Sequence, residues 1–222
     1  MKGTVSIGII LVLLLASIGV ASAAIIQNGG FETSGVVPQP PGYLTCPDGI
    51  LNDWTLGGTI DVINGYWIPF EGSQSIDLTG SSPGSISQTL TLDPTKTYQI
   101  SFAMAANPGG LPEIKTVRVH WDNQVFDFSF DKSAHPGLSL TNMQWETKTI
   151  NGLTSSGSTV LAFEDITADN TYYGVALDDV IVVEEDNSPP TPVPEFPTIA
   201  LPMALIIGIL GAVLFIQRTK EN

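Results

Sequence analysis

The sequence predicts an all-β chain folded as an antiparallel β-sandwich or jelly roll. Three observations carry this prediction. Apolar and polar residues alternate with period 2 in several segments, Gly 22 and Pro 16 among 222 residues separate those segments with turns, and no window places apolar residues at helical spacing. Only 14% of residues are charged, which sets the chain apart from a helical bundle and from a disordered acidic tail. The acidic balance also excludes one class of partner. With Lys+Arg 8 against Asp+Glu 22 and a formal charge of -14, the molecule repels a polyanion, so nucleic acid is not expected to bind.

In chain order, the first element is residues 1–23. Lys2 precedes an apolar run from Val5 to Val20, and Ala21-Ser22-Ala23 forms a small-x-small site. This is the pattern of a secretory signal peptide, cut by signal peptidase between Ala23 and Ala24. The alternative is an uncleaved N-terminal membrane helix, against which stand the short apolar core and the Ala-rich end. Residues 24–186 then form one domain, long enough to bury a core and too short for two. Its single Cys46 lies well past the cleavage site and has no internal disulfide partner. An outward-facing domain without a disulfide draws its stability from its core or from a metal ion.

Within the domain, Ile86, Gln88, Leu90 and Leu92 alternate with Ser87, Thr89 and Thr91, and Tyr98, Ile100, Phe102 and Met104 alternate with Gln99, Ser101 and Ala103. Both segments read as half-buried strands. The same holds for Val117, Val119 and Trp121, and for Phe126, Phe128 and Phe130. Val160 to Phe163 and Val175 to Val183 are short β-branched runs of the kind found in sandwich cores. Trp54, Trp121 and Trp145 occupy strand-like positions and are expected in the core. Gly80-Ser81-Ser82-Pro83-Gly84 fits the G-x-S-x-G pattern of serine hydrolases, but that elbow needs a following helix and Pro83-Gly84 leads into a strand. His120 is expected on the outer face of a strand and His135 in a loop, neither with the companions that zinc requires.

The last elements are membrane-directed. Residues 187–197 hold Pro189, Pro190, Pro192, Pro194 and Pro197, a composition that makes a stiff extended spacer. Residues 198–216 are uncharged and about long enough to cross a bilayer as a transmembrane helix, and residues 217–222 carry Arg218 and Lys220. Basic residues after the span predict a cytoplasmic end, which leaves the domain on the extracellular face of the cell membrane. The ordered string Val193-Pro194-Glu195-Phe196-Pro197, apolar span and basic end resembles the PEF-CTERM sorting tail of methanogenic archaea. The resemblance implies that an archaeosortase recognises Pro194, Glu195 and Phe196, removes the span and transfers the protein to a membrane lipid anchor. A plain single-pass anchor has the same hydropathy.

Asn28-Gly29-Gly30-Phe31-Glu32, Trp54, Gly72 to Gly80, Gly84-Ser85-Ile86-Ser87-Gln88, Tyr98 to Pro108 and Leu177-Asp178-Asp179-Val180 occur in this order. Together they resemble the choice-of-anchor C domain family, related to a plant cell-wall family of unknown function with a galactose-binding-like jelly roll. The similarity covers Ile25 to Glu185 and departs from the family in a long Ser34 to Ile50 insertion of unknown role. It implies that the first and last strands lie side by side and share a structural calcium ion. The ligands implied are the carboxylates of Glu32 and Asp178, with Glu71 next, and backbone carbonyls near Gly30 and around Glu71 to Gln74, with Asp179 supporting them from outside, since calcium takes six to eight oxygens. The alternative is that Glu32 caps a turn and Asp178 and Asp179 face solvent.

Two aromatic pairs complete the reading. Tyr66-Trp67 and Tyr172-Tyr173 flank turn residues, and adjacent strand residues point to opposite faces, so one of each pair is hard to bury. An exposed ring can stack on a sugar, with neighbouring polar side chains on its hydroxyls; the alternative is that the rings roof the ends of the sandwich. The function expected is a non-catalytic binding or adhesion module of an archaeal envelope, with a surface glycan as partner. A structural envelope protein without a specific ligand is the second reading, and a polysaccharide-acting hydrolase or lyase the third.

Overall fold

Eleven strands run β1 Gly42–Cys46, β2 Thr55–Gly57, β3 Ile60–Asn64, β4 Gln74–Asp77, β5 Ser85–Thr91, β6 Tyr98–Ala106, β7 Ile114–Trp121, β8 Gln124–Asp131, β9 Glu146–Leu153, β10 Ser158–Asp165 and β11 Val175–Glu184. The computed structural model describes residues 25–185 apart from 36–37, 39, 47–48 and 170–171. The predicted signal peptide with its Ala23–Ala24 junction lies outside the described residues, as do the Pro-rich linker with Pro194, Glu195 and Phe196, the apolar span and the basic tail. Among the described residues no helix is long and apolar enough to cross a membrane. The helix they contain is a 3-10 turn, Lys132–Ala134.

The strands form two sheets, of order β1-β3-β4-β11-β6-β9 and β2-β5-β10-β7-β8, and the strand pairs are antiparallel. Their inner faces meet in one apolar core. Ile60, Ile76, Leu177, Phe102 and Met104 come from the first sheet, and Ile86, Phe163, Leu161, Val117 and Val119 from the second. Phe102 sits edge-on to both Phe163 (5.1 Å) and Phe128 (5.3 Å), so ring packing ties the sheets together. Trp54 and Trp121 are core residues, as the sequence predicts, and Trp145 is partly buried against the core. Cys46 is fully buried at the end of β1, its thiol donating to the Leu44 carbonyl (3.2 Å), and burial raises its pKa.

β11 explains why its sequence alternates poorly. Val175 and Leu177 face the core, the register then slips between Asp178 and Ile181, and Val180 and Val182 face the core beyond it. Asp179 at the slip has φ +46, so this is a bulge that turns the strand over by one residue. The outer face of the six-stranded sheet is also unusual, because much of it is dry. Ser75, Asp77 and Asp178 are each 0% exposed there, covered by the segment 65–73 and by Gly174 rather than by water. That covered face carries the chemistry of the molecule.

Candidate functional site

Register places two rows of side chains across the outer face. Thr45, Asp61, Asp77, Ala176 and Ala105 are successive cross-strand neighbours on β1, β3, β4, β11 and β6. Beside them run Tyr43, Ile63 and Ser75. The segment after β3 folds back over the second row: Trp67, only 2% exposed, donates its indole N–H to Ser75 Oγ at 2.8 Å. Tyr66, next in the chain, remains exposed and meets Tyr43 edge-on at 5.2 Å. The pair Tyr66-Trp67 thus splits into one exposed and one buried ring, while Tyr172 and Tyr173 are both exposed.

These groups enclose an open pocket of about 390 Å³. Tyr43 and Tyr66 line it from the β1–β3 side. Tyr172 and Tyr173 line it from the segment before β11, where the Tyr173 ring lies on the Gly109-Gly110 turn so closely that a Cβ on Gly110 would stand 2.3 Å from it. Asp61, Thr45 and Asn107 also line the pocket and supply its polar surface. Asp61 is 8% exposed; Thr45 Oγ1 donates to its Oδ1 at 2.6 Å, and burial raises its carboxyl pKa against that bond. Asn107 is held from both ends, its Nδ2 donating to Asp77 Oδ2 (2.8 Å) and its Oδ1 accepting from Gly109 N–H (2.9 Å).

Asp77 lies behind this surface and is sealed. Its oxygens accept from Thr79 N–H, Gly174 N–H and Asn107, and burial pushes its pKa well above the usual carboxylate range. Gly174 is obligatory here, since a Cβ would stand 2.4 Å from Asp77 Oδ1 and 2.5 Å from Asp165 Oδ2. A glycosidase pair needs two carboxylates open to one substrate. Asp61 and the sealed Asp77 do not form such an open pair.

The four residues expected at calcium gather around the turn 70–74. Glu32 Oε1 accepts from Ser73 N–H (2.8 Å) and Gln74 N–H (2.9 Å), and its Oε2 from the Ser73 hydroxyl (2.6 Å). Asp178 Oδ2 accepts from Phe70 N–H (2.9 Å) and Glu71 N–H (3.2 Å), and its Oδ1 from Asp179 N–H (2.7 Å). Asp178 is buried rather than facing solvent, and burial lifts its pKa to about 7 despite these donors. A Cβ on Gly30 would stand 3.4 Å from Glu71 Oε1, and one on Gly72, at φ +60, would collide with Glu32 Oε1 at 2.1 Å. Among the described residues no group of three or more His, Cys, Asp or Glu side chains converges closely enough to hold a metal unaided. All three carboxylates are the hard oxygen donors that calcium takes, but those of Glu32 and Asp178 already accept from N–H and O–H groups, so an ion here would have to share or displace those bonds.

The remaining sequence candidates fall elsewhere. His120 pairs with Glu164 (3.0 Å) on the outer face of the five-stranded sheet, and His135 stacks on Phe130 (4.0 Å) and bonds Glu146 (2.9 Å). The Gly80–Gly84 stretch joins β4 to β5 through a bridge between Thr79 and Pro83, with no helix after Ser82. Sequence reasoning missed Tyr43, Thr45, Asp61 and Asn107. The 34–50 insertion carried a signal in Tyr43-Leu44-Thr45-Cys46, which alternates as an edge strand does.

Residues 24–183 match the family model described as "Protein of unknown function (DUF642)", and residues 193–220 match the PEF-CTERM archaeal protein sorting domain. Halomucin of Haloquadratum walsbyi (strain DSM 16790 / HBSQ001) is 29% identical over 195 residues, 84% of this chain and 2% of halomucin. The chain therefore spans about 2% of that relative's length. Similar solved structures include TmCBM61 in complex with beta-1,4-galactotriose, at TM-score 0.44 and 14% identity over 74% of this chain and 100% of that one. A family 35 carbohydrate binding module from Clostridium thermocellum is similar at TM-score 0.43 and 13% identity, covering 65% and 99%. The CBM22-1 xylan-binding domain of Paenibacillus barcinonensis Xyn10C is similar at TM-score 0.42 and 16% identity, covering 59% and 85%. With its domain matched almost from end to end, the chain belongs to the DUF642 family and carries a PEF-CTERM sorting domain at its C-terminal end.

Proposed function

We propose that this protein is a non-catalytic glycan-binding module displayed at the archaeal cell surface. The observation that carries the reading is the pocket itself, in which four exposed tyrosines surround a carboxylate that is 8% exposed. Tyrosine offers an apolar face to a sugar ring and a hydroxyl to its oxygens, and a few fixed polar groups set the orientation of the ligand. The sorting domain supports the location. In this reading signal peptidase cuts between Ala23 and Ala24, an archaeosortase acts at Pro194, Glu195 and Phe196, and a membrane lipid retains the exported protein. The choice-of-anchor C grouping, a domain found with different anchors, is part of the same proposal. So is a structural calcium ion held by Glu32, Glu71, Asp178 and a carbonyl near Gly30, whose charge would keep the buried Asp178 ionised.

A glycan array probed with the full-length protein in detergent tests the binding claim. At least one envelope-type or plant-type polysaccharide is expected to bind, and Tyr66→Ala or Tyr172→Ala is expected to weaken it about tenfold, the equivalent of one stacked ring. Both side chains are exposed, so the melting temperature of these variants should stay within a degree or two of wild type. Binding that survives both substitutions unchanged would place the site elsewhere.

A further inference from the structure

Resting on that reading of the tyrosine pocket, we infer that Asp61 sets its specificity: the pocket takes a neutral glycan whose hydroxyls donate to Asp61 Oδ2, and it rejects glycans bearing carboxylate or sulfate groups. Asp61 is the one acceptor in the pocket that is both charged and partly idle. Its Oδ1 is engaged by Thr45, but no donor among the described residues reaches Oδ2, and that oxygen is not sealed from solvent. A carboxylate oxygen in so dry a position gains more from a hydroxyl donor than it would in water, because hydrogen bonds to charged groups are the strong ones.

Two of the polar groups around it already have protein partners. Asn107 Nδ2 donates to Asp77 and its Oδ1 accepts from Gly109, and Ser81 Oγ is 3.2 Å from Thr59 Oγ1, which leaves the tyrosine hydroxyls and one Asn107 N–H as neutral donors. Among the described residues no Lys, Arg or His lines the pocket. Behind Asp61 stands its register partner Asp77, whose titration is raised chiefly by burial and to a lesser degree by the charge of Asp61 across the strands. A ligand anion entering here would lose water and meet like charge with no cation to offset it. Sugar hydroxyls meet the opposite situation, an acceptor that lacks a donor.

Paired polysaccharides that share a backbone provide the test: dextran against dextran sulfate, and fully methyl-esterified polygalacturonate against polygalacturonate, by calorimetry or affinity electrophoresis with the full-length protein in detergent. The measurements belong at about 1 M salt, where the Debye length is about 3 Å and the overall negative charge of the molecule no longer decides the outcome. The expected result is binding to a neutral polymer at least about tenfold tighter than to any anionic one, with Asp61→Asn weakening the neutral ligand and narrowing the ratio. Equal or tighter binding of a sulfated or uronate polymer by the wild type overturns the inference, as does an Asp61→Asn variant of unchanged ratio. If Asp61→Asn lowers the melting temperature, the wild-type ratio decides alone. Failure of every glycan to bind, neutral and anionic alike, instead removes the glycan reading on which the inference rests.

Discussion

Lys115 occupies a position that β7 otherwise gives to core residues, in line with Val117, Val119 and Trp121. It is 0% exposed, and its Nζ has no hydrogen-bond partner among the described residues. Burial, aided by the charge of Lys132 and opposed by Asp77 and Asp165, lowers its pKa from 10.5 to about 8. The folded state therefore binds this proton less well than the unfolded state. The stability that neutral Lys115 contributes is fully present above pH 10.5 and is lost as the pH falls through about 8. Lys115→Met should stabilise the domain at pH 7 by roughly 1 to 3 kcal/mol, and the advantage should shrink as the pH rises from 8 to 10. Urea unfolding at both ends of that window measures it, and a variant less stable than wild type throughout would mean the ammonium is satisfied, for instance by internal water. Individual residues were unevenly legible in the sequence. Tyr66, Tyr172 and Tyr173 declared themselves because adjacent aromatics beside turns cannot all be buried. Asp61 did not, since Ile60-Asp61-Val62-Ile63 reads as one acid in an apolar run, and only the pairing with Thr45 shows which face it takes.

At the level of elements, the segment before β1, the 70–74 turn and β11 form one joint. Ile25 N–H donates to the Val182 carbonyl and Val180 N–H to that of Gly29, so the chain's described start lies along its last strand. Glu32 and Asp178 grip the intervening turn from its two sides. If calcium completes this joint it binds the folded state only, and at a hundredfold excess over its dissociation constant adds about 2.7 kcal/mol. Chelation should then lower the melting temperature by several degrees, about 2 to 4 per kcal/mol, and Glu32→Gln should abolish the response. Identical melting with calcium and with chelator would leave the turn to its hydrogen bonds alone. Element legibility followed the same physics. β5, β7, β8 and the first half of β6 each have one drier and one wetter face and are legible from alternation, whereas β10 and β11 read as apolar runs. β3 and β4 are buried on both faces and β2 has three residues, so period 2 had nothing to act upon. β1 was hidden in a Pro-rich stretch whose role depends on pairing with β3.

For the whole molecule, processing and charge are the governing terms. Replacing Pro194, Glu195 and Phe196 by Ala should leave a precursor that keeps peptides through Lys220, detectable by mass spectrometry; unchanged processing would make the tail a simple anchor. Charge yields the last prediction. With 22 acidic against 8 basic residues, repulsion disfavours the compact state. Salt also weakens the attractive pairs, but among the described residues these are few: Arg118–Asp127 and Lys96–Glu184 lie on the surface, where solvent leaves an ion pair little worth, and Lys148–Glu146 is partly buried. The acidic excess outnumbers those pairs, so screening should favour folding on balance. Raising the salt from about 0.01 M to about 1 M shortens the Debye length from about 30 Å to about 3 Å. The melting temperature, followed at fixed pH with chelator present so that calcium plays no part, should rise by several degrees across that range. A fall instead would mean that the surface ion pairs outweigh the net charge, and that the acidic excess is spread widely enough to cost the fold little.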